Sequence, residues 1–109
     1  MSEYDDVISY LTRREYPEGL SKHEKRRLRE RCESFSVTEG VLMHKGHKGK
    51  LARVVVDVQE KDRIVSTLHC SGVGGSHFGQ SATIAKVTDR FWWKSVTFDV
   101  RDYVRRCQV

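Results

Sequence analysis

The chain has 109 residues, a length that allows one domain or two very small ones. With 38% hydrophobic and 32% charged residues it describes a globular protein with a modest core, and no apolar run is long enough for a transmembrane helix, so a membrane partner is not expected. The formal charge of +5, from 20 basic against 15 acidic residues, favours a polyanionic partner such as nucleic acid. The acidic start, Met1-Ser-Glu-Tyr-Asp-Asp, lacks the layout of a secretory signal. Cys32, Cys70 and Cys107 are odd in number and widely spaced, which fits a reducing, intracellular setting better than a disulfide framework.

In chain order, Tyr4, Val7, Ile8 and Leu11 fall on one face and predict a short helix over 4–12. Pro17 and Gly19 break it. Ser21 and Glu24 form a capping-box pattern that opens a second helix to about Glu33, polar nearly all round apart from Leu20 and Leu28. Residues 34–57 read as short strands, with a hairpin across His44-Lys-Gly-His-Lys-Gly-Lys. Asp57 and Glu60 repeat the capping logic for a helix over about 58–69, where Ile64, Val65 and Leu68 give a buried stripe. Gly72, Gly74 and Gly75 interrupt the chain. A helix from about Gln80 to Arg90 follows, with Ile84, Val87 and Phe91 spaced as one face. The last helix, about 95–107, carries Val96, Val100, Tyr103, Val104 and Cys107 on one stripe.

The expected fold is α+β. An N-terminal extension of helices and a small antiparallel sheet, residues 1–57, precedes a three-helix cluster, 58–109. Ile64, Leu68, Ile84, Val87, Phe91, Trp93, Val100, Tyr103 and Val104 are the expected core of that cluster.

Three residues carry candidate chemistry. His69 ends one helix, His77 lies in the glycine-rich loop after it, and Cys107 ends the last helix. Imidazole and thiolate both suit zinc, and a three-helix cluster can bring these points together. On spacing alone the plain reading, ordinary core and surface residues, competes well. Structural zinc is four-coordinate, yet only Gln108 and Val109 follow Cys107 in the sequence. Cys70 is a poor fourth ligand because adjacent helical residues point about 100° apart. Asp57, Ser66 and His69 make no credible nucleophile arrangement, since no oxyanion element or pocket is implied.

The text between these residues adds more. His69, then His77-Phe78-Gly79, Thr83, Phe91-Trp92-Trp93, Asp99-Val100, Tyr103-Val104 and Cys107 resembles the His-His-Cys-Cys zinc-binding N-terminal domain of retroviral and retrotransposon integrases. Upstream, Gly40-Val-Leu-Met-His and Leu51-Ala-Arg-Val-Val-Val are similar to the small sheet that precedes that domain in gypsy-type, gamma-retroviral and spumaviral integrases. The sequence departs from the pattern at Ser76, where glycine is common, at Lys94, where proline is usual, and in having no second cysteine after Cys107.

The resemblance implies Zn2+ held by His69, His77 and Cys107, with the fourth position open, watery or filled from elsewhere. It implies a non-catalytic nuclear module, in an integrase or a host protein derived from one, that assists multimer assembly and contacts DNA. Self-association as a homodimer is expected, and a small-molecule substrate is not. Strand transfer belongs to a separate carboxylate core that this chain lacks. The alternatives are a protein-interaction module that has lost DNA binding and a sequence-specific promoter-binding zinc finger. Lys22, Lys25, Arg26 and Arg29 on the second helix, with Lys45, Lys48 and Lys50 at the hairpin, are the candidate phosphate contacts; the competing reading is a solvated face and a flexible turn.

Overall fold

The structure, a computed structural model, describes residues 3–70 and 78–107. The glycine-rich break around Gly72–Gly75 and His77 lie outside the described residues. Five α-helices and four short strands among the described residues make an α+β fold. The chain divides into two compact units, Met1–Arg53 and Val54–Val109.

The first unit opens with helix α1, Asp5–Arg13. Asp5 and Asp6 sit in its first turn and Arg13 in its last, each charge opposing the nearer end of the helix dipole. Arg14 ends it in the left-handed conformation, with its N–H on the Tyr10 carbonyl. Helix α2, Lys22–Cys32, begins at the expected capping box: Ser21 accepts from the Glu24 N–H at 3.1 Å, and the Glu24 carboxylate accepts from the Ser21 N–H at 3.2 Å. Those hydrogen bonds hold the Glu24 carboxyl below its usual range.

Helices α1 and α2 pack together and against strand β1, Phe35–Thr38, burying Tyr4, Val7, Leu28, Cys32 and Phe35. The rings of Tyr4 and Phe35 lie 5.4 Å apart in a tilted pair. Strand β1 pairs antiparallel with β2, Val41–Lys45, in a register of Phe35 opposite His44 and Thr38 opposite Val41. Glu39 and Gly40, with φ of 51° and 79°, make the two-residue connection. Positive φ at both positions gives a turn whose twist suits a tight hairpin. Strand β3, Leu51–Val54, pairs antiparallel with β2 across the expected hairpin, in which His47–Gly49 forms one 3-10 turn.

The second unit holds helices α3, Val58–His69, α4, Gln80–Thr88, and α5, Val96–Arg106, with the two-residue strand β4, Phe91–Trp92. Asp57 caps α3, its side chain accepting from Gln59 N–H at 2.8 Å and Glu60 N–H at 3.4 Å. The helices pack pairwise around Val55, Val65, Val87, Trp93, Val96 and Val100. Ile64, Leu68, Ile84, Phe91, Trp92, Tyr103 and Val104 line this core while half-buried. All nine expected core residues therefore belong to it, joined by Val55, Val65, Val96 and Trp92.

One element differs from the expectation. Helix α4 stops at Thr88, two residues short of Arg90, so Phe91 does not extend its apolar face. Arg90 turns back with its N–H on the Val87 carbonyl at 3.2 Å, and the chain emerges extended. Trp92 then accepts the Val55 N–H at 2.9 Å. Two consecutive aromatics suit a pleated, half-buried strand better than a helix end, and the backbone partner at Val55 decides between them.

Candidate functional site

His69 is the last residue of α3 and is 3% exposed, one of two buried polar side chains among the described residues. The other, Thr83, lies on α4 and is fully buried. Thr83 Oγ1 is 2.8 Å from the Gly79 carbonyl, 3.3 Å from the Phe78 carbonyl and 3.3 Å from His69 Nδ1. A hydroxyl has one proton to give, and the Gly79 carbonyl is the nearest acceptor. Thr83 Oγ1 is then an acceptor toward the imidazole. A ring proton on Nδ1 would meet that acceptor and leave the Nε2 lone pair for a metal. This is the arrangement by which a partner hydrogen bond fixes the tautomer of a ligating histidine.

Two further contacts orient the ring and its backbone. Tyr103 of α5 meets the His69 ring edge-on, with centroids 5.8 Å apart and planes at 81°. The His69 carbonyl accepts the Phe78 N–H at 2.9 Å, so the chain returns to the end of α3 at the residue next to His77. Cys107 lies one turn beyond Tyr103, its N–H on the Tyr103 carbonyl at 3.1 Å, with the side chain half-buried. The ends of α3 and α5 thus meet through Tyr103. His77 is outside the described residues, and among those described no group of three His, Cys, Asp or Glu side chains gathers to hold a metal ion.

The donor chemistry fits zinc. His69 and Cys107 supply the imidazole and thiol types of donor that zinc takes, two of the four that a closed site needs. The other cysteines differ. Cys70, one residue past α3, is exposed. Cys32 is buried in the first unit, where burial pushes its thiol up, away from the thiolate that binds metal.

The integrase zinc binding domain family matches residues 56–109. The second unit belongs to that family. In it the zinc-binding domain is non-catalytic. Stretches of longer proteins are similar to this chain as well. A retrovirus-related Pol polyprotein from transposon 412 of Drosophila melanogaster is 42% identical over 50 residues, covering 46% of this chain and 4% of the polyprotein. A gypsy retrotransposon integrase-like protein of Pongo abelii is 33% identical over 103 residues, covering 93% of this chain and 20% of that protein. A zinc finger and BTB domain-containing protein of Mus musculus is 27% identical over 111 residues, covering 95% of this chain and 10% of that protein. The chain spans a fifth or less of the length of each of these relatives.

Against the integrase family's zinc chemistry, Thr83 is the residue that sequence reasoning undervalued. It counted as one element of a pattern, whereas the structure buries its hydroxyl 3.3 Å from His69 Nδ1. The signal was present: a β-branched hydroxyl on the short helix that follows the second histidine.

The candidate phosphate contacts all lie in the first unit. Lys22 is exposed on α2. Lys25 places its ammonium 5.2 Å from the centre of the Tyr16 ring, Arg26 pairs with Glu30 at 3.1 Å, and Arg29 donates to the Tyr16 hydroxyl at 2.9 Å. Exposed contacts of this kind are weak and exchange readily with water or phosphate. Lys45 ends β2, Lys48 lies in the 3-10 turn at φ 58°, and Lys50 follows it, all three exposed. His44 adds no charge to that hairpin at neutral pH: its ring sits 5.4 Å from Phe35, and burial lowers its pKa. Among the described residues no helix is long and apolar enough to cross a membrane.

Proposed function

We propose that this chain is the zinc-binding N-terminal module of an integrase or an integrase-derived nuclear protein, with residues 58–109 as the metal domain and 1–57 as its extension. Its task is to assist multimer assembly and to contact DNA; the chain performs no chemistry itself. His69, His77 and Cys107 supply three zinc ligands, and the bound ion supplies cross-linking of three helices rather than catalysis. The observation that carries this reading is His69, buried at the end of α3 with its Nδ1 3.3 Å from Thr83 Oγ1, inside the stretch that matches the family.

DNA contact is assigned to Lys22, Lys25, Arg26 and Arg29 of α2, extended by Lys45, Lys48 and Lys50. Lys22, Arg26 and Arg29 share one helix face at i, i+4 and i+7. Contacts of this type go to phosphates and carry no sequence information. Neutralising about three phosphates gives a log–log salt slope near −2.7 on duplex DNA, with affinity on the order of micromolar or weaker at physiological salt. Replacing Lys22, Arg26 and Arg29 together by Gln is expected to flatten that slope without changing the circular dichroism. A triple variant that binds duplex DNA as well as the parent removes the assignment.

Self-association as a homodimer is supported by the apolar surface at Val56 and Val58, 45% and 68% exposed at the start of the second unit. Sedimentation at high micromolar concentration is expected to show a dimer, and Val58→Glu a monomer. A parent chain that stays monomeric throughout would remove the claim.

A second reading, a sequence-specific promoter-binding zinc finger, draws on the similarity to the zinc finger and BTB domain-containing protein over most of this chain. Competition between unrelated duplexes separates the two. Phosphate contacts give equal competition, whereas base readout spreads affinities by factors of a thousand or more on the order of magnitude known for specific binders.

A further inference from the structure

Helix α5 buries Val96 and Val100 and turns the opposite strip to water. That strip comprises Thr97, Phe98, Arg101 and Arg105, with Lys94 just before the helix, all exposed. Phe98 is 68% exposed, the most exposed aromatic ring among the described residues. A single exposed phenylalanine needs no explanation by itself. Its neighbours are what distinguish this one. Arg101 lies one turn after Phe98 at i+3 and Arg105 two turns after at i+7, so both share its helix face, and Lys94 lies in the turn just before the helix.

The one acid that borders the strip is Asp102, at i+4 from Phe98. Asp99 lies off it and is engaged by Trp93 Nε1 at 2.8 Å and Ser95 Oγ at 2.8 Å. Asp102 is half-buried and takes Arg105 at 2.6 Å and Arg106 at 3.1 Å. Among the described residues neither Lys94 nor Arg101 pairs with a carboxylate. The strip therefore presents an exposed ring in a stretch with two cations, Lys94 and Arg101, that pair with no described carboxylate.

We propose that this face of α5 binds single-stranded nucleic acid, an unpaired base stacking on Phe98 and the flanking phosphates lying on Lys94 and Arg101. The proposal rests on the DNA-contact reading above but concerns a different surface and a different form of the ligand. An exposed aromatic flanked by cations matches the two recurring requirements of single-strand binding, a stacking platform and a basic track along the backbone. Duplex DNA hides its base faces within the stack, so Phe98 has nothing to stack on there except at frayed ends. The phosphate-only surface on α2 should instead favour the duplex, which has the higher charge density.

The test is fluorescence anisotropy of the full chain with an oligo-dT of about a dozen nucleotides and with a blunt duplex. Phe98→Ala is expected to weaken oligo-dT binding about tenfold while leaving duplex affinity and the melting temperature unchanged. Phe98→Trp keeps the affinity, and Phe98→Leu behaves like the alanine variant. Lys94→Gln with Arg101→Gln lowers the single-strand salt slope by about 1.4. The Lys22, Arg26 and Arg29 variant alters duplex binding and leaves this ring effect in place, so the two readings fail separately. Undiminished oligo-dT binding by Phe98→Ala overturns the proposal, as does full affinity in Phe98→Leu, which shows that the ring is not used. Loss of a dimer in Phe98→Ala with oligo-dT binding unchanged also overturns it, and assigns the strip to contact between two copies of this chain.

Discussion

Chelating zinc is expected to abolish the cooperative thermal transition of the second unit. Among the described residues six form its buried core, and a domain of this size buries too little apolar surface to offset chain entropy comfortably. Structural zinc contributes on the order of 10–16 kcal/mol of binding free energy in small peptides at neutral pH, as much as the whole stability of an ordinary domain. His69→Ala should reproduce the effect of chelation. Thr83→Val should do something different. It nearly preserves the side-chain volume and removes only the oxygen at 3.3 Å from His69 Nδ1, so the fold persists at saturating zinc while affinity falls about 10–100-fold. Acidification should weaken binding in the parent, because protons compete with metal for imidazole and thiolate. Metal content, near-ultraviolet circular dichroism of Trp92 and Trp93, and competition with a chromogenic chelator read these outcomes. A chain that melts identically with and without chelator, or a His69→Ala variant that holds as much zinc as the parent, would refute the ligand assignment.

How much of this was legible in the sequence depends on how local the determining interaction is. Ser21 and Glu24 announce the start of α2 because both halves of the capping box lie within three residues. Asp57 before α3 is equally local, and the stripe of Val96, Val100, Tyr103 and Val104 declares α5 through its period alone. Strand β4 was not legible, since its partner is the Val55 N–H, far away in sequence, and Phe91 happened to continue the period of α4. Val55 entered the core unannounced for the same reason. The contacts of Tyr16 with Lys25 and Arg29 likewise bridge a helix break that no periodicity sees. The candidate site is a harder case. Two histidines and a cysteine at wide spacing carry little information, and the surrounding pattern of Thr83, Phe91-Trp92-Trp93 and Asp99 drew attention to them. What no pattern discloses is the direction of a hydrogen bond. The position of Thr83 Oγ1 between the Gly79 carbonyl and His69 Nδ1 is seen only in the fold.

Trp93→Ala is expected to cost about 3–5 kcal/mol, the range for truncating a large buried aromatic. Trp93 is 2% exposed and packs in one cluster with Val55, Val65, Val87, Val96 and Val100, drawn from all three helices of the second unit and the segment before α3. Two polar features tie the indole down as well. Its Nε1–H donates to Asp99 Oδ2 at 2.8 Å, and the Lys61 ammonium lies 5.7 Å from the ring centre. Truncation therefore empties the centre of the core and leaves Asp99 with Ser95 as its remaining side-chain donor. Trp93→Phe separates these effects. It keeps most of the apolar volume and removes the N–H, so its cost should sit near 1–2 kcal/mol, a single hydrogen bond to a charged acceptor plus a small cavity. In a zinc-loaded domain whose total stability is of order 5 kcal/mol, the alanine variant should be unfolded or nearly so at 37 °C, and the phenylalanine variant folded with a lowered melting temperature. Denaturant titration followed by circular dichroism measures both. An alanine variant with the parent's midpoint would mean that the three helices do not share the core described here, and the burial of His69 against Thr83 and Tyr103 would lose its structural basis with it.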